Sequence, residues 1–575
     1  MVARCYSVSF EGIEAREVDV QCQLSSGTPG FQIVGLPDKA VAESRERVRA
    51  ALTSMGVTMP PKRVVMNLAP ADMPKEGAHF DLPIALALLA AMEIVPPDAA
   101  AGALAMGELG LDGLLAPCAG ALPAAVAAAA QERMMICPFA NGPEAAIVAA
   151  ADVAAPESLV ALINHLTGRQ ALPRPVPMGA ETEESYPDLA DVRGQLKARR
   201  ALEIAAAGGH NLLMIGPPGV GKSMLASRLP GILPPLDPRE ALELSMVRSV
   251  DGSLASRPMS RLRPYIRPHH SASMPALVGG GRRAGPGQIS LAHHGVLFMD
   301  EFAEFNRAAL DGLREPLETG EIHVARANAS VRYPSRIQLV AAMNPCRCGY
   351  LAQPGRACSR APRCGADYQQ RLSGPLLDRI DLVVETPEIP ASELARLPAG
   401  EPSAPVARRV AAARARQTAR FEEMGLAIRL NAQAEGEALE QAAAMDGEAR
   451  DLLGRASEKL GLSARGMSRA LRLARTLADL DGEDAVRRRN GGEGVSYRQA
   501  RPAAWADAPR GRPAPVRRAW TRPADRAAAG RRECRIGRGQ PVRRRRARRS
   551  GEGRRRSGAD GGRGREGRGL APPEA

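Results

Sequence analysis

Aromatic side chains are scarce. Phe, Tyr and Trp together make up 3% of the 575 residues, so rows of stacked rings, a common platform for single-stranded nucleic acid, cannot be the chain's main device. Long hydrophobic runs are missing too. The best candidate, Leu82 to Met92, is rich in Ala and stops at Glu93, short of the roughly 18–20 apolar residues that a membrane span needs. The opening stretch, MVARCYSVSFEGIEAREV, has no uninterrupted apolar region and no small-residue cleavage site, which argues against a secretory leader. Nine Cys are too few for a disulfide scaffold, yet four of them crowd between 346 and 364. That pattern suits metal or redox chemistry in a reducing compartment. These absences predict a soluble, cytoplasmic protein with no membrane partner.

Most of the chain also lacks an excess of either charge. The net charge is +15, but residues 501–575 hold 23 Arg, 7 acidic residues and no Lys, which leaves 55 basic and 56 acidic residues in 1–500. The body is neutral, so contact with a polyanion must come from local charge or from the tail.

What is present is an ordinary globular balance, 45% hydrophobic and 25% charged, in a length that suggests two to four domains. Residues 1–165 alternate β-type runs (Tyr6–Phe10, Val18–Cys22, Phe31–Val34, Arg63–Leu68) with Ala/Leu helices near 40–55, 82–92 and 120–130. A linker at 166–187 carries Pro173, Pro175, Pro177 and Pro187. Over 188–385, buried-strand runs (Leu212–Ile215, Val296–Met299, Ile337–Ala342) recur among helical ones, the rhythm of a parallel sheet covered by helices. A second Pro-rich linker spans 386–405, a helical region 406–484, and an Arg/Gly/Pro-rich tail 485–575. The tail has too little apolar surface to offset its ordering entropy and is expected to be disordered.

The strongest chemical signal is Gly216-Pro217-Pro218-Gly219-Val220-Gly221-Lys222-Ser223, a complete G-x-x-x-x-G-K-[ST] between a strand and a helix. Such a loop curls its N–H groups around phosphates, with Lys222 for the β/γ oxygens and Ser223 for Mg2+. The run Val296–Met299 ends in Asp300-Glu301. Beside a phosphate loop, Asp300 can hold the Mg2+ water shell and Glu301 can polarise an attacking water. Asn344 follows the third strand, where it either holds that water or simply starts an Asn-Pro turn. The combination predicts nucleoside triphosphate hydrolysis.

With those residues in view, the chain resembles the ComM/YifB family of Mg-chelatase-like AAA+ ATPases. The resemblance rests on Gly208–Gly219 (GGHNLLMIGPPG), Pro286–His293 (PGQISLAH), Arg314–Glu318 (REPLE), Ala341–Cys346 (AAMNPC) and Leu372–Asp381 (LSGPLLDRID), and it covers roughly residues 1–500. It implies an α/β architecture: an N-terminal Lon-protease-like α+β domain, an AAA+ P-loop core with a parallel sheet, and a helical lid. It further implies a ring, a hexamer, with ATP at subunit interfaces. Asn344 corresponds to sensor 1, and Arg379 to an arginine finger given in trans to the neighbouring subunit. A local ion pair of Arg379 with Asp378 or Asp381 is the plainer reading, and Arg371 is a second finger candidate. Arg465 corresponds to sensor 2, with Arg469 one helical turn on as the alternative. Residues 261–290 resemble the helix-2 insert of the chelatase and replicative-helicase branch. One departure stands out: the second Arg of the family's Arg-Pro-Phe-Arg-x-Pro-His-His sits one place later here, at Arg267. Glu321–Arg336 reads as a hairpin that lines the pore in this branch, where Arg326, Arg332 and Arg336 either meet a phosphate backbone or stay solvated.

Phe31–Pro37 and Pro74–Pro83 resemble the Lon-like domain, whose chemistry needs a Ser nucleophile and a Lys of lowered pKa. His79 stands where that Ser would be, and no Ser lies within Pro74–Pro83. The domain is therefore read as a non-proteolytic scaffold or DNA-guiding collar. Cys346, Cys348, Cys358 and Cys364 offer four soft ligands for a structural Zn2+, or remain free buried thiols. The Arg-rich tail either binds nucleic acid or is solvated extension, including the product of GC-rich coding sequence. The family implies an ATP-driven motor on DNA: branch migration of forked or three-stranded recombination intermediates during natural transformation. A protein-remodelling ATPase like the magnesium-chelatase motor subunit shares the same ATP site and stays open.

Overall fold

The computed structural model describes residues 2–179, 185–281, 284–325, 330–351 and 355–499. Arg326 and the expected tail beyond residue 499 lie outside these.

The N-terminal domain is a seven-stranded mixed sheet with helices. In chain order it comprises β1 (Val2–Glu11), β2 (Glu14–Ser25), β3 (Gly30–Val34), α1 (Lys39–Ser54), β4 (Arg63–Ala69), α2 (Asp81–Ala91), β5 (Ala103–Ala105), α3 (Ala121–Ala130), β6 (Met134–Ile136) and β7 (Val153–Ala154), with spatial order β3-β4-β2-β1-β5-β6-β7. In β2, Val18, Val20 and Cys22 are buried while the residues between them are partly exposed. This two-residue period turns one face of the sheet onto a core. The apolar run from Leu82 is α2, buried from Asp81 to Ala90 and packed into the same core. Its all-round hydrophobicity marks a helix enclosed within protein.

The second domain contains α4 (Leu196–Gly208), β8 (Leu212–Ile215), α5 (Lys222–Ala226), α6 (Pro238–Asp251), β9 (Tyr265–Ile266), β10 (Val296–Met299), the hairpin β11 (Glu321–Ala325) and β12 (Ser330–Pro334), β13 (Gln338–Met343), α7 (Arg363–Gln369) and β14 (Leu382–Glu385). Its parallel sheet runs β9-β10-β13-β8-β14. The continuous apolar runs have a direct cause: both faces are covered. Leu212, Met214, Val296, Phe298, Val340 and Ala342 join one buried cluster, and Leu213, Ile215, Leu297, Met299, Leu339 and Met343 join another.

The longer helices that follow are α8 (Ser403–Glu423), α9 (Gly436–Ala443), α10 (Gly447–Leu460), α11 (Ala464–Asp481) and α12 (Arg488–Gln499). The last falls where the expected tail was to begin. Val495 and Tyr497 are buried, and Arg498 Nη1 donates to the Ile380 carbonyl at 2.7 Å. Arg475 and Asp479, both fully buried side chains on α11, pair at 2.9 Å, and Asn431 and Arg420 bind the same carboxylate.

Among the described residues, two contacts join the N-terminal domain to the second domain. At the β1–β2 turn, a Cβ on Gly12 would lie 2.1 Å from the Arg332 carbonyl oxygen of the hairpin, and Ile13 packs on the hairpin's cluster. Elsewhere the buried Glu144 carboxylate accepts from Ser249 on α6 and from the Leu122 N–H (3.1 Å), while Gly120 N–H donates to the Ser249 carbonyl at 3.0 Å.

Candidate active site

The C-terminal ends of β8, β10 and β13 open onto one cleft, the place where parallel sheets present their loops to ligands. The cleft holds about 370 Å³ and is lined by Pro218–Met224, Asp300, Glu301, Met343 and Asn344. Gly219 and Gly221 take left-handed φ angles of +82° and +88°, which lets the loop wrap without a Cβ in the way. Lys222 is 8% exposed, and its ammonium donates to the carbonyls of Gly216 (2.7 Å) and Pro217 (2.8 Å) and to Asn344 Oδ1 (3.1 Å). Burial pushes its pKa down to about 8, partly opposed by the Asp300 carboxylate. A buried ammonium held only by loop carbonyls and a side-chain amide is a cradle for an anion.

Ser223 Oγ donates to Asp300 Oδ2 at 2.7 Å. A hydroxyl and a carboxylate side by side are hard oxygen donors that suit Mg2+. The same Asp300 oxygen and the Glu301 carboxylate are engaged from the segment that follows β9: Arg267 Nη2 lies 2.8 Å from Asp300 Oδ2, and His270 Nδ1 lies 3.0 Å from Glu301 Oε2. The displaced Arg267 thus has a partner in the site. Neither residue stood out as a site residue in the sequence. The available signal was the basic cluster Arg267-Pro268-His269-His270.

Arg379 lies outside the cleft. Its guanidinium pairs with Glu318 and donates to the Pro375 carbonyl at 2.7 Å, so its ion pair is with neither Asp378 nor Asp381. The backbone around it is pinned, since Asn211 Nδ2 donates to the Arg379 carbonyl at 2.9 Å. Arg371 pairs with Glu304 at 2.8 Å. Arg465 is exposed near the start of α11, whereas Arg469 is half-buried, donates to the Ile380 carbonyl at 3.2 Å and lies 3.9 Å from Asp381.

Three family comparisons match consecutive parts of the chain: subunit ChlI of Mg-chelatase over 20–141, magnesium chelatase subunit ChlI over 188–394 and its C-terminal region over 400–498. Among individual proteins, YifB of Escherichia coli is 44% identical over 488 residues, covering 85% of this chain and 95% of its own. The competence protein ComM of Haemophilus influenzae is 42% identical over 503 residues, covering 86% and 97%. The chain belongs to the ComM/YifB family. The magnesium-chelatase 38 kDa subunit of Rhodobacter capsulatus is a more distant relative, 28% identical over 30% of this chain and 54% of its own. The chain is thereby a Mg-chelatase-like AAA+ ATPase.

Two further features of this family member bear on the expectations. In the N-terminal domain, His79 is buried and its Nε2 lies 2.9 Å from the Val8 carbonyl. Lys75 is enclosed and contacts the Pro70 carbonyl. On the hairpin, Ile322 faces Tyr333 and Val324 faces Val331, and Arg332 and Arg336 are exposed. No helix among the described residues is long and apolar enough to cross a membrane.

Proposed function

We propose that this chain is an ATP-driven ring motor that acts on DNA, migrating branches in recombination intermediates as incoming DNA is integrated. The nucleotide half of this reading is supported by the cleft, where ammonium, hydroxyl, two carboxylates and an amide converge. The DNA half is supported by near full-length likeness to a competence protein and by the exposed Arg332 and Arg336 at the hairpin.

In this reading Lys222 binds the β/γ oxygens of ATP, and Ser223 and Asp300 hold Mg2+. Bound there, Mg2+ supplies neutralisation of phosphate charge. Glu301 orients and polarises the attacking water, and Asn344 fixes its position near the γ-phosphate. Arg379, given to the neighbouring subunit, leaves Glu318 and stabilises charge on the transferring phosphoryl group, which ties hydrolysis to assembly. Arg465 would report the nucleotide state to the lid, and the contacts of Arg469 with Asp381 and Ile380 favour Arg469 for that task. The N-terminal domain serves as a collar.

The test is ATP hydrolysis by residues 1–500 without DNA, with linear duplex and with a forked junction, with Lys222→Ala as background. Stimulation by the junction is expected. Intact basal hydrolysis with no stimulation would overturn the DNA reading and favour the second one, a protein-remodelling ATPase, which the likeness to the magnesium-chelatase 38 kDa subunit supports.

A further inference from the structure

The cysteines near the cleft form a closed circuit of contacts. Cys346 and Cys348 Sγ are 3.0 Å apart, and the thiols of Cys346, Cys348 and Cys364 all lie within 4.8 Å of one another. Cys358 completes the circuit through contacts with Cys348 and Cys364. Four thiolates around a tetrahedral Zn2+, with Zn–S near 2.3 Å, stand about 3.8 Å apart, which falls between the 3.0 Å of Cys346–Cys348 and the 4.8 Å that bounds the Cys346, Cys348 and Cys364 thiols. A disulfide needs its sulfurs about 2.05 Å apart, closer than the 3.0 Å between Cys346 and Cys348. We propose that Cys346, Cys348, Cys358 and Cys364 form a structural Zn2+ site that braces the phosphate loop.

The surrounding charge agrees. Zn2+ with four thiolates carries a net charge of −2, and this short segment supplies Arg347, Arg356, Arg360 and Arg363 against Asp367. Arg356 is partly committed elsewhere, stacking 4.1 Å over Tyr350 and lying 3.7 Å from Glu388, and Arg360 pairs with Asp367 at 2.9 Å. A closed site with four protein ligands leaves no position for a substrate, so its role is structural.

The bracing follows from what the loop touches. Gly349 N–H donates to the Cys346 carbonyl at 3.0 Å, closing a turn around the first two thiols. That turn is pressed against the phosphate loop, because a Cβ on Gly349 would lie 2.6 Å from Pro218 Cδ. The chain enters the turn directly from Asn344, whose amide oxygen holds Lys222. On the far side, Gln369 Nε2 donates to the Pro345 carbonyl at 2.9 Å, tying α7 back to the strand end. A metal that fixes the turn therefore fixes one wall of the nucleotide cleft. This second half of the proposal rests on the ATP-site reading, whereas the metal itself does not.

The experiment uses the full chain, purified under reducing conditions in zinc-supplemented medium without chelator. Elemental analysis is expected to give about one zinc per chain, and Cys348→Ser and Cys358→Ser each to lower it severalfold. Cobalt loaded in place of zinc is expected to show the absorption of tetrahedral thiolate ligation. Zinc below about a tenth per chain in the reduced wild type, or cobalt without thiolate bands, would overturn the site. Stripping zinc is expected to weaken binding of a non-hydrolysable ATP analogue about tenfold, with recovery on zinc return. Unchanged affinity after stripping would overturn the bracing role. A chain that holds zinc yet binds no nucleotide would sustain the metal site and overturn the ATP-site reading instead.

Discussion

Nucleotide binding should take up protons, and the amount can be worked out from Lys222. In the free protein burial lowers this ammonium to about pKa 8 from the ordinary 10.5. At pH 8 about half the molecules therefore carry a neutral amine, and at pH 9 about nine in ten do. Triphosphate in the cleft favours the charged form and returns the pKa toward its ordinary range. Binding at pH 8 then takes up about 0.5 proton per site, rising toward one at pH 9 and falling to about 0.1 at pH 7. The same equilibrium weakens binding about fivefold between pH 8 and 9, or roughly 1 kcal/mol. For stability the sign is opposite to that of a lysine gaining a partner. The unfolded chain holds the Lys222 proton more tightly, so this group lowers the stability of the nucleotide-free protein below about pH 8, and that penalty fades as pH rises toward 10.5. Titration calorimetry of a non-hydrolysable analogue, repeated at pH 8 in buffers of different ionisation enthalpy, reads the proton count from the slope. A slope of zero at pH 8 with equal affinity at pH 9 would refute the reasoning, because it would mean that Lys222 is fully charged before the ligand arrives.

Three other outcomes are expected. Arg379→Ala should lower the maximal ATPase rate at least 100-fold while leaving analogue binding intact; titrated into wild type, it should depress activity of the mixture more steeply than dilution, and a strictly linear fall would remove the role in trans. Asp479→Ala strips the shared carboxylate from buried Arg475 and from Arg420 and should cost about 3–5 kcal/mol, seen as a lower urea midpoint; a loss under about 1 kcal/mol would show that the guanidiniums find other partners. His293, buried with its Nδ1 accepting from the Arg336 N–H at 3.0 Å and its Nε2 facing Glu243, has its pKa pushed down to about 4 by burial. Its contribution is thus present above the unfolded value near 6.5 and lost as pH falls toward 4, so His293→Gln should flatten the fall in melting temperature across that window.

The lining of the cleft was legible because it is made of contiguous residues: Gly216 to Ser223 are neighbours in one loop, and Asp300-Glu301 close one strand. The long strands were legible for a related reason, since a sheet covered on both faces leaves unbroken apolar runs. Shorter or more distant relations were not. Tyr265-Ile266 is a two-residue strand between Pro264 and Pro268, too brief for any period to register. Arg267 and His270 meet Asp300 and Glu301 across some thirty residues of chain, a proximity that only the parallel pairing of β9 with β10 creates. Helix α12 reads locally as part of the tail because it contains Gly491, Gly492 and Gly494. Tertiary packing of Val495 and Tyr497 overrides that weak propensity.

The two attachments of the N-terminal domain have a mechanical consequence. A body joined at one point can swivel and absorb a neighbour's motion. This one is held at Gly12 against the hairpin and at Glu144 against α6, so rotation about either contact strains the other. Displacement of the hairpin must then drag the N-terminal domain with it or break a buried carboxylate contact. The N-terminal domain is thus geared to the hairpin, so that a displacement of one is passed to the other rather than absorbed between them.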